Sequence, residues 1–143
     1  MALRRQSDKI ELLRGVPLFA NLSSKHLNEV ARHTDVATRP AGSVIARQGD
    51  LGSEMFIIVE GQVVITRDGR KLTTRGKGEF IGEMALLDGQ PRSATVTTIE
   101  DCVLLVTHRR DFSQLLDDVP GLARKILQGL SQRLREMDAR LID

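Results

Sequence analysis

Cysteine appears once in the 143 residues, tryptophan and tyrosine not at all, and phenylalanine four times. A single thiol, Cys102, rules out a disulfide framework, an iron–sulfur cluster and a cysteine-based zinc site. Its place in an apolar, strand-like run fits a reducing cytoplasm. No stretch reaches the ~20 consecutive apolar residues of a membrane span, and the N-terminus lacks a signal peptide's apolar core. An excess of one charge is missing too. The 21 basic and 19 acidic side chains leave a formal +2 and are interspersed, so no nucleic-acid partner is expected. The three histidines, His26, His33 and His108, stand at no metal-ligand spacing, which removes metal-dependent jelly-roll enzymes. No Ser-His-Asp set accompanies Ser93. The expectation is a non-enzymatic chain with no metal and no cofactor of its own.

What is present is regular punctuation. Ser7–Arg14 reads as a short helix with Ile10, Leu12 and Leu13 inward, stopped by Gly15 and Pro17. Ser23 or Ser24 caps a second helix, Lys25–Arg32, with Leu27, Val30 and Ala31 on its apolar side. Between Asp35 and Thr107 the pattern becomes short apolar runs separated by glycine-bearing turns. The runs are 44–46, 55–59, 63–66, 71–74, 94–99 and 103–107. Asp68-Gly69 predicts a two-residue hairpin turn, which needs positive φ at both centres. After His108 the chain is helical again, first Arg109–Leu116, then a longer helix opened by Pro120 and running to Ile142. The pattern predicts one mainly β domain over 1–143. Helices over 7–32 and 109–142 would flank an antiparallel sandwich or jelly-roll barrel over 35–107.

One segment carries chemistry. Phe80-Ile81-Gly82-Glu83-Met84-Ala85-Leu86-Leu87 is followed by Asp88-Gly89-Gln90-Pro91-Arg92-Ser93-Ala94-Thr95-Val96. A carboxylate opens a short helix, and an arginine follows nine positions later beside a hydroxyl. That is equipment for a small sugar phosphate. Glu83 can accept from a ribose hydroxyl, and Arg92 can grip phosphate oxygens with two donors. Gly82 permits close backbone approach, and the amides of the 83–87 turn face an anion.

This run, 80–96, resembles the phosphate-binding cassette of the cyclic nucleotide-binding domain family. That family includes catabolite activator proteins, regulatory subunits of cyclic AMP-dependent kinase and cyclic nucleotide-gated channels. Val16-Pro17-Leu18-Phe19 with Leu22, Pro40-Ala41-Gly42, Gln48-Gly49-Asp50 and Phe56-Ile57-Ile58-Val59-Glu60-Gly61 are similar landmarks in the same order. The resemblance implies the cyclic nucleotide-binding fold, an antiparallel jelly-roll β-barrel, and a cyclic AMP or cyclic GMP ligand. Glu83 would meet the ribose 2′-hydroxyl, and Arg92 the exocyclic phosphate oxygen. Ser93 and the amides around Gly82, Met84 and Ala85 would complete the cradle, with Ile65 and Leu72 as the apolar wall. Cyclic AMP is favoured, although the Ser93 hydroxyl leaves guanine open.

The resemblance also implies an output through the last helix. Ala123, Leu127, Leu130, Leu134, Met137 and Leu141 recur at steps of four and three, widened by Leu122, Ile126 and Arg133. Such a stripe suits a lid over the base, a homodimer seam or plain packing on the barrel. Gly129 marks a close approach or a bend. With no aromatic residue in this helix, an aliphatic or arginine side chain would have to cap the base, with Arg133 or Arg135 as candidates. No helix-turn-helix follows it, so DNA reading is not expected, and Arg4-Arg5 reads as a solvated terminus. The partner would be an unidentified effector protein or a fused effector domain, with the initiating methionine favouring a stand-alone module. The alternative is an interaction domain that has lost its ligand and dimerises through this helix.

Overall fold

The computed structural model describes residues 6–142, with side chains from Asp8 to Ala139; the Arg4-Arg5 pair and the Leu141 side chain lie outside them. Helix α1 (Gln6–Arg14) buries Leu13 completely and leads through a single 3-10 turn, Pro17–Phe19, into α2 (Ser24–Arg32). Ser23 caps α2, its side chain accepting from the His26 amide at 3.3 Å. Lys9 fastens the two helices by donating from Nζ to the carbonyls of Ala31 (2.8 Å) and Thr34 (2.7 Å). A cation at the carbonyl end of α2 also complements its dipole.

Eight strands follow: β1 (Asp35–Arg39), β2 (Val44–Ala46), β3 (Glu54–Glu60), β4 (Val63–Arg67), β5 (Arg70–Arg75), β6 (Phe80–Ile81), β7 (Thr95–Thr98) and β8 (Cys102–His108). They pair antiparallel into two four-stranded sheets, β1-β8-β3-β6 and β2-β7-β4-β5. This is the jelly-roll expected. Strand β1 is not among the apolar runs, because only Val36 and Ala37 in Asp35–Arg39 are apolar.

Strand β3 explains its own unbroken hydrophobic sequence. Phe56 and Ile58 face the space between the sheets, while Met55, Ile57 and Val59 join the core formed with the helices. A strand covered on both sides has no reason to alternate. The β4–β5 hairpin turns at Asp68 (φ 53) and Gly69 (φ 78), as the type I′ geometry requires.

Helix α3 (Glu83–Asp88) interrupts the barrel between β6 and β7, sending Leu86 into the helical core. Beyond β8 lie α4 (Arg109–Asp118) and α5 (Leu122–Ile142). Pro120 does not open α5. It sits in a turn with Gly121, whose φ of 82 is left-handed, and the helix begins at Leu122.

The face of α5 turned to the barrel carries Leu122, Ile126 and the partly buried Leu130. Leu127 (64% exposed), Leu134 (59%) and Met137 (55%) point to solvent. Most of the four-and-three stripe therefore lies away from the barrel, and the residues that widened it make the contact. Gly129 is a close approach: a Cβ there would stand 2.9 Å from Cε1 and Cζ of Phe80.

Candidate functional site

A cavity of about 220 Å³ opens between β6–α3 and the second sheet. Its floor is apolar, from Ala46, Phe56, Ile65, Ile81 and Val96. Its rim is polar, with Glu83, Asp88, Gln90, Arg92, Ser93 and Arg133. Of the site residues read from sequence, Gly82, Glu83, Met84, Ala85, Arg92, Ser93, Ile65 and Arg133 all line it.

Leu72 and Arg135 do not. The β4–β5 register sets Thr73 beside Ile65, with an irregularity before Thr66, so Leu72 turns away and is 43% exposed. Arg135 is two positions past Arg133, on the outer side of α5, and is exposed.

Gly82 ends β6 at φ 86, a left-handed conformation that suits glycine, and leads directly into α3. The residue ahead of α3 is Gly82, so no N-cap side chain serves the first turn of α3. Glu83 is 3% exposed in the first turn. Burial pushes its carboxyl above the ordinary glutamate value, opposed by Arg133, by its own backbone amide, and by Arg75 and Arg92.

Arg92 lies in a narrow slot. Its Nη1 donates to the Gly82 carbonyl at 3.0 Å and its Nη2 to the Glu54 carbonyl at 2.7 Å. Glycines make that slot possible. A Cβ on Gly52 would stand 2.3 Å from Arg92 Nε, and one on Gly82 would stand 2.5 Å from Nη1. Burial pulls the guanidinium below its usual pKa, with Glu54 and Glu83 opposing. Two protein carbonyls thus orient the arginine, which lines the cavity.

Arg133 is not stacked in wait for a base. Its Nη1 donates to Glu83 Oε1 at 3.0 Å, and its Nη2 donates to the Phe80 carbonyl. Its guanidinium lies 4.5 Å from the centre of the Phe80 ring. The last helix therefore reaches the carboxylate expected to read a sugar. Phe80 is clasped by Gly129 on one turn of α5 and Arg133 on the next.

Sequence reasoning missed Phe80 as the seat of α5, Phe56 as cavity floor, and Gly52 and Glu54 as the walls of the arginine slot. Glu54 acts through its carbonyl, and Gly52 through lacking a side chain. Neither role has a side-chain signature, and Phe56 and Phe80 read only as members of a landmark run and of the 80–96 segment.

Residues 37–119 match the family profile described as Cyclic nucleotide-binding domain. The chain is 40% identical over 123 residues to a cyclic nucleotide-gated potassium channel of Rhizobium etli, covering 86% of this chain and 34% of the channel. It is 34% identical over 134 residues to the Cyclic AMP receptor protein of Thermus thermophilus, covering 90% of this chain and 62% of that protein. Among solved structures, the regulatory subunit of a cAMP-independent protein kinase A from Trypanosoma brucei superposes with a TM-score of 0.78 at 28% identity, covering 90% of this chain and 48% of that one. The chain thus spans about a third of the channel and under two thirds of the receptor.

Proposed function

The chain belongs to the cyclic nucleotide-binding domain family, and from that premise we propose that it is a sensor whose ligand, cyclic AMP in preference to cyclic GMP, competes with its own last helix. The observation that carries this reading is the Arg133–Glu83 pair inside the cavity. The phosphate goes to Arg92 and the first-turn amides of α3, with Ser93 beside them. The ribose hydroxyl goes to Glu83, and the base lies over Ile65, Val96 and Phe56. Cyclic AMP is preferred here on the relative from Thermus thermophilus that bears its name.

Size supports a displacement. Small-molecule sites usually enclose ~300–1,000 Å³, and this cavity of about 220 Å³ has a guanidinium across its sugar end. A ligand that takes Glu83 releases Arg133, and α5 loses its polar anchor. Ligand and helix then select different states of one carboxylate, the differential affinity that coupling requires. The freed α5 acts on an effector, fused or separate.

Titration calorimetry with cyclic AMP and cyclic GMP tests the reading. Heat from cyclic AMP at lower concentration than from cyclic GMP is the expected result, and no heat from either overturns it.

A second reading has its own observation. Leu127, Leu134 and Met137 form an exposed apolar stripe at coiled-coil spacing, as a homodimer seam needs, and a docked Arg133 would let the domain work without ligand. Sedimentation at rising concentration discriminates: a monomer throughout removes the seam.

A further inference from the structure

Arg92 is held from two sides of the chain. Its main chain is fixed first: the Gly49 amide donates to the Arg92 carbonyl and the Arg92 amide donates to the Asp50 carbonyl, both at 2.8 Å. Its side chain then crosses Gly52 and ends between the carbonyls of Glu54 and Gly82. One wall of the slot is therefore residues 52–54, ahead of and opening β3, and the other is the start of the 82–85 turn. The β3–β6 ladder joins the walls as far as Phe56 and Ile81, and beyond its end the gap is left to side chains.

Arg109, the first residue of α4, spans it. Its amide donates to the Ser53 carbonyl at 2.9 Å. Its Nη2 donates to the Gly52 carbonyl at 2.8 Å and to the Ala85 carbonyl at 3.2 Å. A single nitrogen thus joins the glycine under Arg92 to the helix that follows Gly82. Arg109 does not line the cavity; its like charge adds to the lowering of the Arg92 pKa, while its hydrogen-bond hold on the slot runs through the carbonyls between them.

Resting on the reading of Arg92 as the phosphate-binding group, we infer that Arg109 is a positioning residue that sets the width of the Arg92 slot and so the aim of its guanidinium. Without it, the slot can widen beyond the end of the β3–β6 ladder, between Gly52 and α3, and Arg92 can follow either wall away from the phosphate. The role needs one donor shared between two carbonyls, which an ammonium can also supply.

The test uses the full chain with Arg109→Met, Arg109→Lys, Gly52→Ala and Arg92→Ala. Calorimetry with cyclic AMP should show Arg109→Met and Gly52→Ala each weakening binding at least about tenfold, with Arg109→Lys recovering to within about threefold of wild type. In an Arg92→Ala background, Arg109→Met should cost no further affinity, since coupled residues are not additive. Nitrogen-edited proton spectra of the ligand-free protein give a second readout. The Arg92 Nε–H signal, assigned by its loss in Arg92→Lys, should shift and exchange faster in Arg109→Met but not in Arg109→Lys. Wild-type affinity in Arg109→Met, an equal loss in both backgrounds, or an unmoved Arg92 signal overturns the inference. If wild type gives no heat, the ligand reading fails by itself, and the Arg92 signal still decides the role of Arg109.

Discussion

Replacing Arg133 with alanine separates a helix that competes with ligand from one that holds it. The guanidinium bonds the buried Glu83 carboxylate at 3.0 Å, bonds the Phe80 carbonyl and stacks 4.5 Å from the Phe80 ring, at 21% side-chain exposure. A hydrogen bond to a charged group contributes ~1.5–3 kcal/mol net, and a cation–ring contact ~0.5–1 kcal/mol at exposed sites. Desolvation of the arginine offsets part of this, leaving about 2 kcal/mol, or roughly thirtyfold. A ligand that needs Glu83 free binds only the undocked fraction, so its apparent Kd rises in inverse proportion to that fraction. Arg133→Ala should therefore tighten cyclic AMP binding by about ten- to thirtyfold. Leu122 and Ile126, which stay packed, keep the fold. Titration calorimetry of the two proteins at one pH and salt measures the change. Weaker binding in the variant would show that the arginine holds the ligand, and unchanged binding would show that docking and ligand do not meet.

Gly129→Ala should act in the same direction by a steric route. Alanine favours the helix by ~1 kcal/mol, yet its methyl would stand 2.9 Å from the Phe80 ring, so α5 should lift and cyclic AMP should bind more tightly in calorimetry. Glu83→Gln should weaken binding while leaving the ligand-free protein as stable or more so near neutral pH. Burial raises the Glu83 pKa in the fold above 4.5, so between 4.5 and that raised value the native state holds more proton than the unfolded chain. Wild-type stability is then lost as pH rises through this window and regained as it falls. Thermal melts should show the advantage of the glutamine variant shrinking on acidification. Arg92→Ala should weaken cyclic AMP binding at least about tenfold and also lower the melting temperature by ~2–5 °C, because the carbonyls of Gly82 and Glu54 lose their donor. An unchanged melting temperature would mean that water serves those carbonyls equally well.

Much of the site was legible because it is local. Glu83 and Arg92 belong to one short segment, and Gly82 at its head has the left-handed φ that its type permits. Asp68-Gly69 likewise forms the predicted turn from its own two residues. Where a reading failed, a long-range neighbour had decided. Leu72 was expected on the cavity wall, but the pairing of β5 with β4 turned it outward. Pro120 was expected inside the first turn of the last helix, but that helix starts at Leu122. Arg109 went unmarked because it bonds carbonyls, which every residue has.

The amino-acid order by itself determined the antiparallel β architecture, the placing of a carboxylate and an arginine on one short segment, and the presence of an amphipathic final helix. These follow from periodicity, turn residues and donors close together along the chain. Only the tertiary structure decided which face of α5 meets the barrel and what Arg133 does there. The stripe of Leu127, Leu134 and Met137 is the more regular one, yet the helix docks through Ile126, Gly129 and Arg133. Apolar periodicity measures how much of a helix surface avoids water. It does not record the shape or charge of the surface it will meet, and here the Phe80 ring and the buried Glu83 carboxylate supply both.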